Sequence, residues 1–302
     1  MQTVFQKLPV GPVLLDGSMG QELINRGASG QGILWSAKAL FDHPEVVQAI
    51  HADYIRAGAD IITTNSYACI RNNFEPAGVL DRLGEMNRLS VELAQRARDN
   101  CGKDVLIAGS MGPQYGSYRP DLVRGYEETE ARYREQAGFL ASGVDFFICE
   151  TLSCRLEARA AVAAAMQTGK PVWLSWSVVD SGEAALRSGE PLQDAWDDVA
   201  RSGLDAALLN CSPPEAIDRA LPELIALSDL PVGAYANAFT PIPHEWDYHG
   251  DESIPPPRTD VTPAVYARHA AGWIAAGARI IGGCCEVGPA HIAELNRELR
   301  RG

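Results

Sequence analysis

Ala276-Gly277-Ala278-Arg279-Ile280-Ile281-Gly282-Gly283-Cys284-Cys285 is the stretch on which the reading of this chain turns. A glycine closes what reads as a helix, a short apolar run follows, and small and thiol-bearing residues end it. Glycine in that first position suits a left-handed helix cap before the chain turns into a strand. An unbroken apolar run, rather than an alternating one, is the pattern of a strand buried on both faces. The punctuation recurs at Ala57-Gly58-Ala59-Asp60, Ser142-Gly143-Val144-Asp145 and Ser202-Gly203-Leu204-Asp205, so the unit repeats along the chain.

Working outward, apolar runs stand at 13–18, 60–67, 104–111, 145–151, 171–178, 206–212, 231–238 and 278–285. Helical patterns alternate with them at 44–57, 80–100, 126–141, 156–167, 192–201, 215–227, 263–276 and 289–300. Eight strand–helix units predict an α/β protein of the (β/α)8 TIM-barrel class rather than a doubly wound sheet. With no linker and no low-complexity tail, residues 1–302 read as a single domain. The connections 20–43 and 239–262 are longer than the rest, and both follow strand C-terminal ends, the face on which barrel enzymes build their sites. The second holds Pro241, Pro243, Pro255, Pro256 and Pro257 and reads as a stiffened, irregular loop. Within it, His244-Glu245-Trp246-Asp247-Tyr248-His249-Gly250-Asp251 has no regular helical face and reads as a solvated polar lid rather than a second metal site.

Composition narrows the function. A 46% hydrophobic share is ample for a core, and a net charge of -13 argues against nucleic acid, which needs a basic face. No apolar run is long enough to cross a bilayer. The opening Met1-Gln2-Thr3-Val4-Phe5-Gln6-Lys7 reads as neither a signal nor a transit peptide. Seven cysteines, an odd number without secreted-framework spacing, point to a reducing, cytoplasmic setting. The oligomeric state is left open, a homo-oligomer included.

In a barrel, Cys211 in Asn210-Cys211-Ser212 would end strand six and Cys284-Cys285 would end strand eight, on one rim. Neighbouring strand residues point to opposite sides, so two adjacent ligands require a turn, which Gly282-Gly283 makes sterically feasible. Singly, each cysteine reads as a small buried apolar residue. Together they offer three thiolates to one zinc ion and leave a fourth position for a substrate. A vicinal disulfide between Cys284 and Cys285 is the competitor, at the cost of strained geometry. Cys101, Cys149 and Cys154 read as bland, Cys149 facing away from Glu150, while Cys69 lies near the same rim without an assigned role.

Other rim residues carry weaker signals. Asp16-Gly17-Ser18 ends strand one and offers backbone N–H groups at a tight turn, a cradle for a carboxylate. Glu150-Thr151 places a carboxylate suited to an ammonium, with a structural hydrogen bond as the alternative. Tyr67 is either a phenol for the open zinc position or an amphipathic rim residue. His43, His51, His269 and His291 fall in helices or helix starts and form no catalytic pair, and no nucleophile-elbow serine or phosphate loop occurs.

The order and spacing of seven motifs resemble the zinc-dependent homocysteine S-methyltransferase family over nearly the whole chain. They are Leu14-Leu15-Asp16-Gly17, Leu34-Trp35-Ser36-Ala37-Lys38, Asn65-Ser66-Tyr67, Gly109-Ser110-Met111-Gly112-Pro113, Cys149-Glu150-Thr151, Asn210-Cys211 and Gly282-Gly283-Cys284-Cys285. The Leu34–Lys38 segment is most similar to the branch that uses S-methylmethionine or S-adenosylmethionine. The resemblance implies a barrel that binds zinc through Cys211, Cys284 and Cys285 and takes the homocysteine sulfur as fourth ligand. It further implies that Gly17 and Ser18 meet the substrate carboxylate, that Glu150 meets its ammonium, and that Tyr67 moves aside. A small onium donor would supply the methyl group, with Trp35 first among Trp35, Tyr67, Tyr115 and Trp176 as a cation–π partner. The chain departs from the family pattern at Ala68-Cys69, at 112–120 and in the 239–262 loop. Alternatives are a betaine-type donor, a selenol acceptor such as selenohomocysteine or selenocysteine, and a non-catalytic zinc- and thiol-binding barrel. A zinc hydrolase is disfavoured, since it would want histidine and carboxylate ligands.

Overall fold

The computed structural model describes residues 4–30, 32–242 and 255–299; the His244–Asp251 segment lies outside them. Eight parallel strands run in the order β1-β8-β7-β6-β5-β4-β3-β2. They are β1 (Val13–Leu14), β2 (Ile61–Thr63), β3 (Leu106–Met111), β4 (Phe146–Leu152), β5 (Val172–Trp176), β6 (Ala206–Asn210), β7 (Val232–Tyr235) and β8 (Ile280–Ile281). Each is followed by its principal helix: α1 (Pro44–Ala57), α2 (Leu83–Cys101), α3 (Tyr126–Leu140), α4 (Arg155–Met166), α5 (Leu192–Val199), α6 (Pro214–Leu227), α7 (Pro263–Ala276) and α8 (Pro289–Leu299). A parallel bridge between Leu15 and Ile61 closes β1 onto β2. The fold is the expected (β/α)8 barrel.

Every strand except β4 is shorter than its apolar run. The runs of β1 and β8 continue to residues 18 and 285, yet the ladder between them joins only Val13–Leu14 to Ile280–Ile281, with Leu15 adding its single bridge to Ile61. The remaining residues leave the ladder because the chain turns at the rim, and those residues build the site.

Side chains alternate across the sheet as a closed barrel requires. Val13, Leu15, Leu106, Ile148, Trp173 and Leu208 fill the interior, while Leu14, Ile107, Cys149, Leu174 and Leu209 pack outward against the helices. The N-terminal end is plugged by the turn Val4–Lys7, whose Phe5 stacks on Trp173 at 5.3 Å.

The repeated helix-to-strand signature has two physical parts. Gly58, Gly203 and Gly277 take positive φ (112°, 87° and 121°), whereas Gly143 is needed for close approach, since a Cβ there would sit 2.4 Å from Val91 Cγ1. The aspartate two residues on caps the adjacent strand: Leu14 N–H donates to Asp60, Ile107 N–H to Asp145 and Val172 N–H to Asp205. Those N–H groups stand at the start of the staggered ladder and would otherwise lack an acceptor.

One buried carboxyl holds a loop that reaches the rim. Glu157 on α4 accepts from Gln114 N–H and from the Tyr133 hydroxyl, each at 3.2 Å. Burial raises its pKa from 4.5 to about 7, although those hydrogen bonds oppose the rise. Between those values the folded state binds more protons than the unfolded chain, so this group's contribution is lost as pH rises. His51 works the other way: it is buried with both ring nitrogens unpartnered among the described residues. Its pKa falls to about 3 through burial, so it costs stability as pH drops below 6.5. Comparing wild type with Glu157→Gln isolates the carboxyl. Denaturant unfolding from pH 5 to 8 should show the Gln variant gaining on wild type by roughly 2–3 kcal/mol as pH rises. A pH-independent difference would mean that Glu157 is charged throughout.

Candidate active site

At the C-terminal rim, β6 delivers Cys211 and β8 delivers Cys284 and Cys285. Cys211 N–H donates to Tyr235 O on β7 at 3.1 Å, and Cys284 N–H to Ala236 O at 2.9 Å. The close approach of Gly282 and Gly283 to neighbouring chain segments explains that pair: a Cβ on Gly282 would lie 2.5 Å from Leu15 Cβ, and one on Gly283 2.2 Å from Val287 Cγ1. Neither glycine takes positive φ; the turn itself falls at Glu286, φ 64°.

The three sulfurs lie within 4.8 Å of one another, and Cys211 Sγ is 3.7 Å from Cys285 Sγ. Zinc–sulfur bonds of about 2.3 Å in a tetrahedron set sulfurs roughly 3.8 Å apart, so the trio fits such an ion. The cysteines are free thiols rather than a vicinal disulfide. Burial opposes ionisation of Cys211, but hydrogen bonds from Cys284, Cys285 and Tyr118 outweigh it and hold its pKa well below the usual thiol value. The thiols of Cys284 and Cys285 are driven up, in each case first by the hydrogen bond to Cys211. One thiolate forms readily, and discharging all three calls for a cation.

Two carboxyls share the rim. Glu150 bonds Ser110 Oγ and accepts from Tyr235 Oη at 3.1 Å; burial raises its pKa to about 7. Asp16 accepts from Thr63 N–H at 2.7 Å and from its hydroxyl, and burial, reinforced by Glu150, raises it to about 8. Both line one cavity with the cysteines, and no Lys, Arg or His lines it among the described residues. Such a site favours cationic guests.

Gly17 is sterically obligatory, since a Cβ would meet Val287 O at 2.1 Å. Ser18 N–H is engaged by that same carbonyl at 3.0 Å, and its hydroxyl caps Gln21 N–H at 3.2 Å. The expected backbone cradle therefore reduces to Gly17 N–H, which has no hydrogen-bond partner among the described residues.

The aromatics divide. Trp35 and Tyr67 line the cavity. Tyr67 bonds Ser117 Oγ at 2.7 Å, in space left by Gly112. The phenol at the thiols is Tyr118, which donates to Cys211 Sγ at 2.9 Å and lies under Arg187 at 4.5 Å. Phe239 lines the cavity too. Tyr115 instead faces Arg124 and Arg132, and Trp176 is buried in the outer core. Neither can meet a donor in this cavity. Sequence reasoning missed Tyr118 because its loop departs from the regular pattern. Cys69 is buried away from the cavity, donates to Asn65 O at 3.6 Å, and has its thiol pKa raised by burial.

Backbone strain is concentrated here. Among the described residues, the non-glycines with positive φ are Trp35, Tyr118, Thr151, Cys211 and Glu286. Four line the cavity and the fifth follows Cys285. Each such residue costs about 1–3 kcal/mol and persists only where its surroundings fix it.

Comparison with known proteins agrees with this geometry. The homocysteine S-methyltransferase family model matches residues 13–299. The homocysteine S-methyltransferase of Escherichia coli K12 is 34% identical, over 94% of each chain. A selenocysteine Se-methyltransferase of Brassica oleracea var. italica is 29% identical over 96% of this chain and 89% of its own length. The crystal structure of the Escherichia coli homocysteine methyltransferase MmuM in metallated form superposes with a TM-score of 0.80 at 31% identity, covering 95% of this chain and 96% of that one.

Titration with cobalt(II) should bind one equivalent and give a sulfur-to-metal charge-transfer band. Cys211→Ser, Cys284→Ser and Cys285→Ser should each weaken binding by roughly 100-fold or more. Unaltered binding in any of them would remove that thiol from the set.

Proposed function

This chain belongs to the homocysteine S-methyltransferase family, and we propose that zinc on Cys211, Cys284 and Cys285 and a sulfonium donor serve its methyl transfer to L-homocysteine, giving methionine. The observation that carries the reading is the convergence of three thiols and Glu150 on one cavity that no basic side chain lines among the described residues. Bound there, zinc would act as a Lewis acid that keeps a substrate thiol deprotonated at neutral pH.

The remaining work falls to the chain. Glu150, held by Ser110 and Tyr235, receives the substrate ammonium. Asp16, fixed by Thr63, adds a second carboxyl to the same cavity, and Gly17 N–H meets the substrate carboxylate. Trp35 and Tyr67 form the donor wall, where aromatic faces attract an onium cation. The thiolate lone pair forms the new S–C bond in line as the donor's C–S bond breaks, and that electron pair leaves on the donor as a neutral thioether. Anion and cation annihilate, so a partly dry, aromatic-lined cavity favours the transition state over the separated ions. A donor of net positive charge suits this acidic cavity better than a net-neutral betaine.

The eight-unit barrel without an internal linker supports reading residues 1–302 as one catalytic domain. All seven cysteines are free, which supports a reducing, cytoplasmic compartment. Among the described residues no helix is long and apolar enough to cross a membrane.

Methionine formation by the zinc-loaded, reduced protein should proceed with S-methylmethionine or S-adenosylmethionine and fail with glycine betaine. Turnover with glycine betaine alone would overturn the donor assignment, and zinc binding without any turnover would indicate a non-catalytic barrel. Selenocysteine as acceptor tests the selenol variant that the Brassica relative suggests.

Glu150→Gln should raise the homocysteine KM about tenfold or more while changing kcat less. Wild-type Glu150 protonates near pH 7 and then cannot neutralise an ammonium. The limiting slope of log(kcat/KM) below that pH should therefore fall by about one in the variant. An unchanged slope would assign the titration elsewhere.

A further inference from the structure

Glu150 sits on β4 and Cys211 directly follows β6, yet one side chain ties them together. Asn210, fully buried, accepts at Oδ1 from Thr151 N–H at 2.9 Å and from Ser175 Oγ at 2.7 Å. Its Nδ2 donates to Thr151 Oγ1 at 2.8 Å. Asn210 thus spans the ends of β4, β5 and β6 from the position directly before Cys211.

The two backbones it joins are both left-handed, Thr151 at φ 62° and Cys211 at φ 50°. A β-branched threonine does not hold that conformation by preference. Here both polar groups of Thr151 are claimed by Asn210, and extending the residue would bury its N–H without an acceptor. The local ladder records the distortion: β4 and β5 change register between Cys149 and Leu152, around Glu150 and Thr151. Asn210 Oδ1 is moreover fixed from its far side by Ser175 Oγ, so the amide cannot swing with a moving rim.

We propose that Asn210 is a positioning residue that locks Glu150 and Cys211 at a fixed separation, so that one homocysteine engages both through its ammonium and its sulfur. The inference rests on the function proposed above. Substrate ammonium and sulfur are joined by a short chain, so the site must present both partners at one spacing. Misplacement by about 1 Å can cost on the order of 100-fold in rate. Outer-shell partners of metal ligands commonly carry about 10–100-fold in metal affinity.

The test measures zinc affinity by chelator competition, homocysteine KM and kcat, and thermal midpoint, in wild type, Asn210→Ala and Asn210→Ala/Thr151→Gly. Asn210→Ala should weaken zinc binding about 10–100-fold and raise the homocysteine KM about tenfold or more. Glycine holds positive φ without a tether, so Thr151→Gly should recover most of the KM loss and none of the zinc loss. A lower thermal midpoint with zinc affinity and KM within about twofold of wild type would show a merely structural asparagine and overturn the proposal, as would failure of Thr151→Gly to recover the KM. Should Asn210→Ala not fold, Ser175→Ala removes one tether; it should raise both constants about two- to fivefold, and unchanged constants would overturn the proposal equally. Wild type separates the two readings. Absence of zinc binding or of methyl transfer there defeats the proposed function, whereas an active wild type with an unaffected Asn210→Ala defeats only this inference.

Discussion

Five acidic groups share one buried rim: the thiols of Cys211, Cys284 and Cys285 and the carboxyls of Asp16 and Glu150. They cannot all ionise in a low-dielectric space without positive charge nearby. No basic side chain supplies it among the described lining residues. The raised pKa values of Asp16 and Glu150 and the unequal sharing of protons among the thiols are the signature of that deficit. Charge must come from guests, which in the proposed function are a divalent metal at the sulfurs, an ammonium at the carboxyls and an onium at the aromatic wall. In that proposal thiolate and onium cancel and complete the neutralisation, so that substrate recognition and catalysis draw on the same electrostatic imbalance.

Holding like charges together is unfavourable, and the barrel makes it tolerable by rigidity. Parallel strands packed inside and out fix the rim from below, with Leu15, Ile148, Trp173 and Leu208 within and helices outside. Among the described residues, the non-glycine departures from easy backbone geometry fall at the top of the barrel, at Trp35, Tyr118, Thr151, Cys211 and Glu286. Around them the packing leaves no slack: Gly17, Gly283 and Val287 touch at distances that admit no Cβ. The polar connections among Thr151, Asn210 and Ser175, and between Tyr118 and Cys211, are buried and mutually satisfied. A network of that kind specifies one arrangement, because any slip strands a buried polar group.

Much of this was legible in the chain itself. Unbroken apolar runs with helical stretches between them encode the barrel, because parallel strands covered on both faces have no polar side to show. The Gly-x-Asp signature locates helix ends and strand starts, since both depend on local backbone demands. Cysteines at 211, 284 and 285 reach one rim because every strand of a parallel barrel points the same way, so sequence position at a strand end translates directly into space. For the same reason the residues at 16–18 and at 150 lie beside them.

What the sequence could not assign were orientations and partners. Tyr67 and Tyr118 are both rim tyrosines, but which phenol reaches a thiol depends on how the 112–118 loop folds back, and that is set by Glu157 and Gln136 from elsewhere in the chain and by the space Gly112 leaves for Tyr67. Trp176 has the composition of a cation–π partner, yet strand alternation turns it into the outer core. Ser18 is a plausible backbone donor until the Val287 carbonyl, 269 residues on, is seen to occupy its N–H. The sequence by itself determined the barrel and the cluster of chemistry at its rim, because both follow from local periodicity and a single strand direction. Tertiary structure alone decided which polar atoms remain available to a substrate, because hydrogen bonds and close contacts are made between segments whose separation along the chain carries no signal.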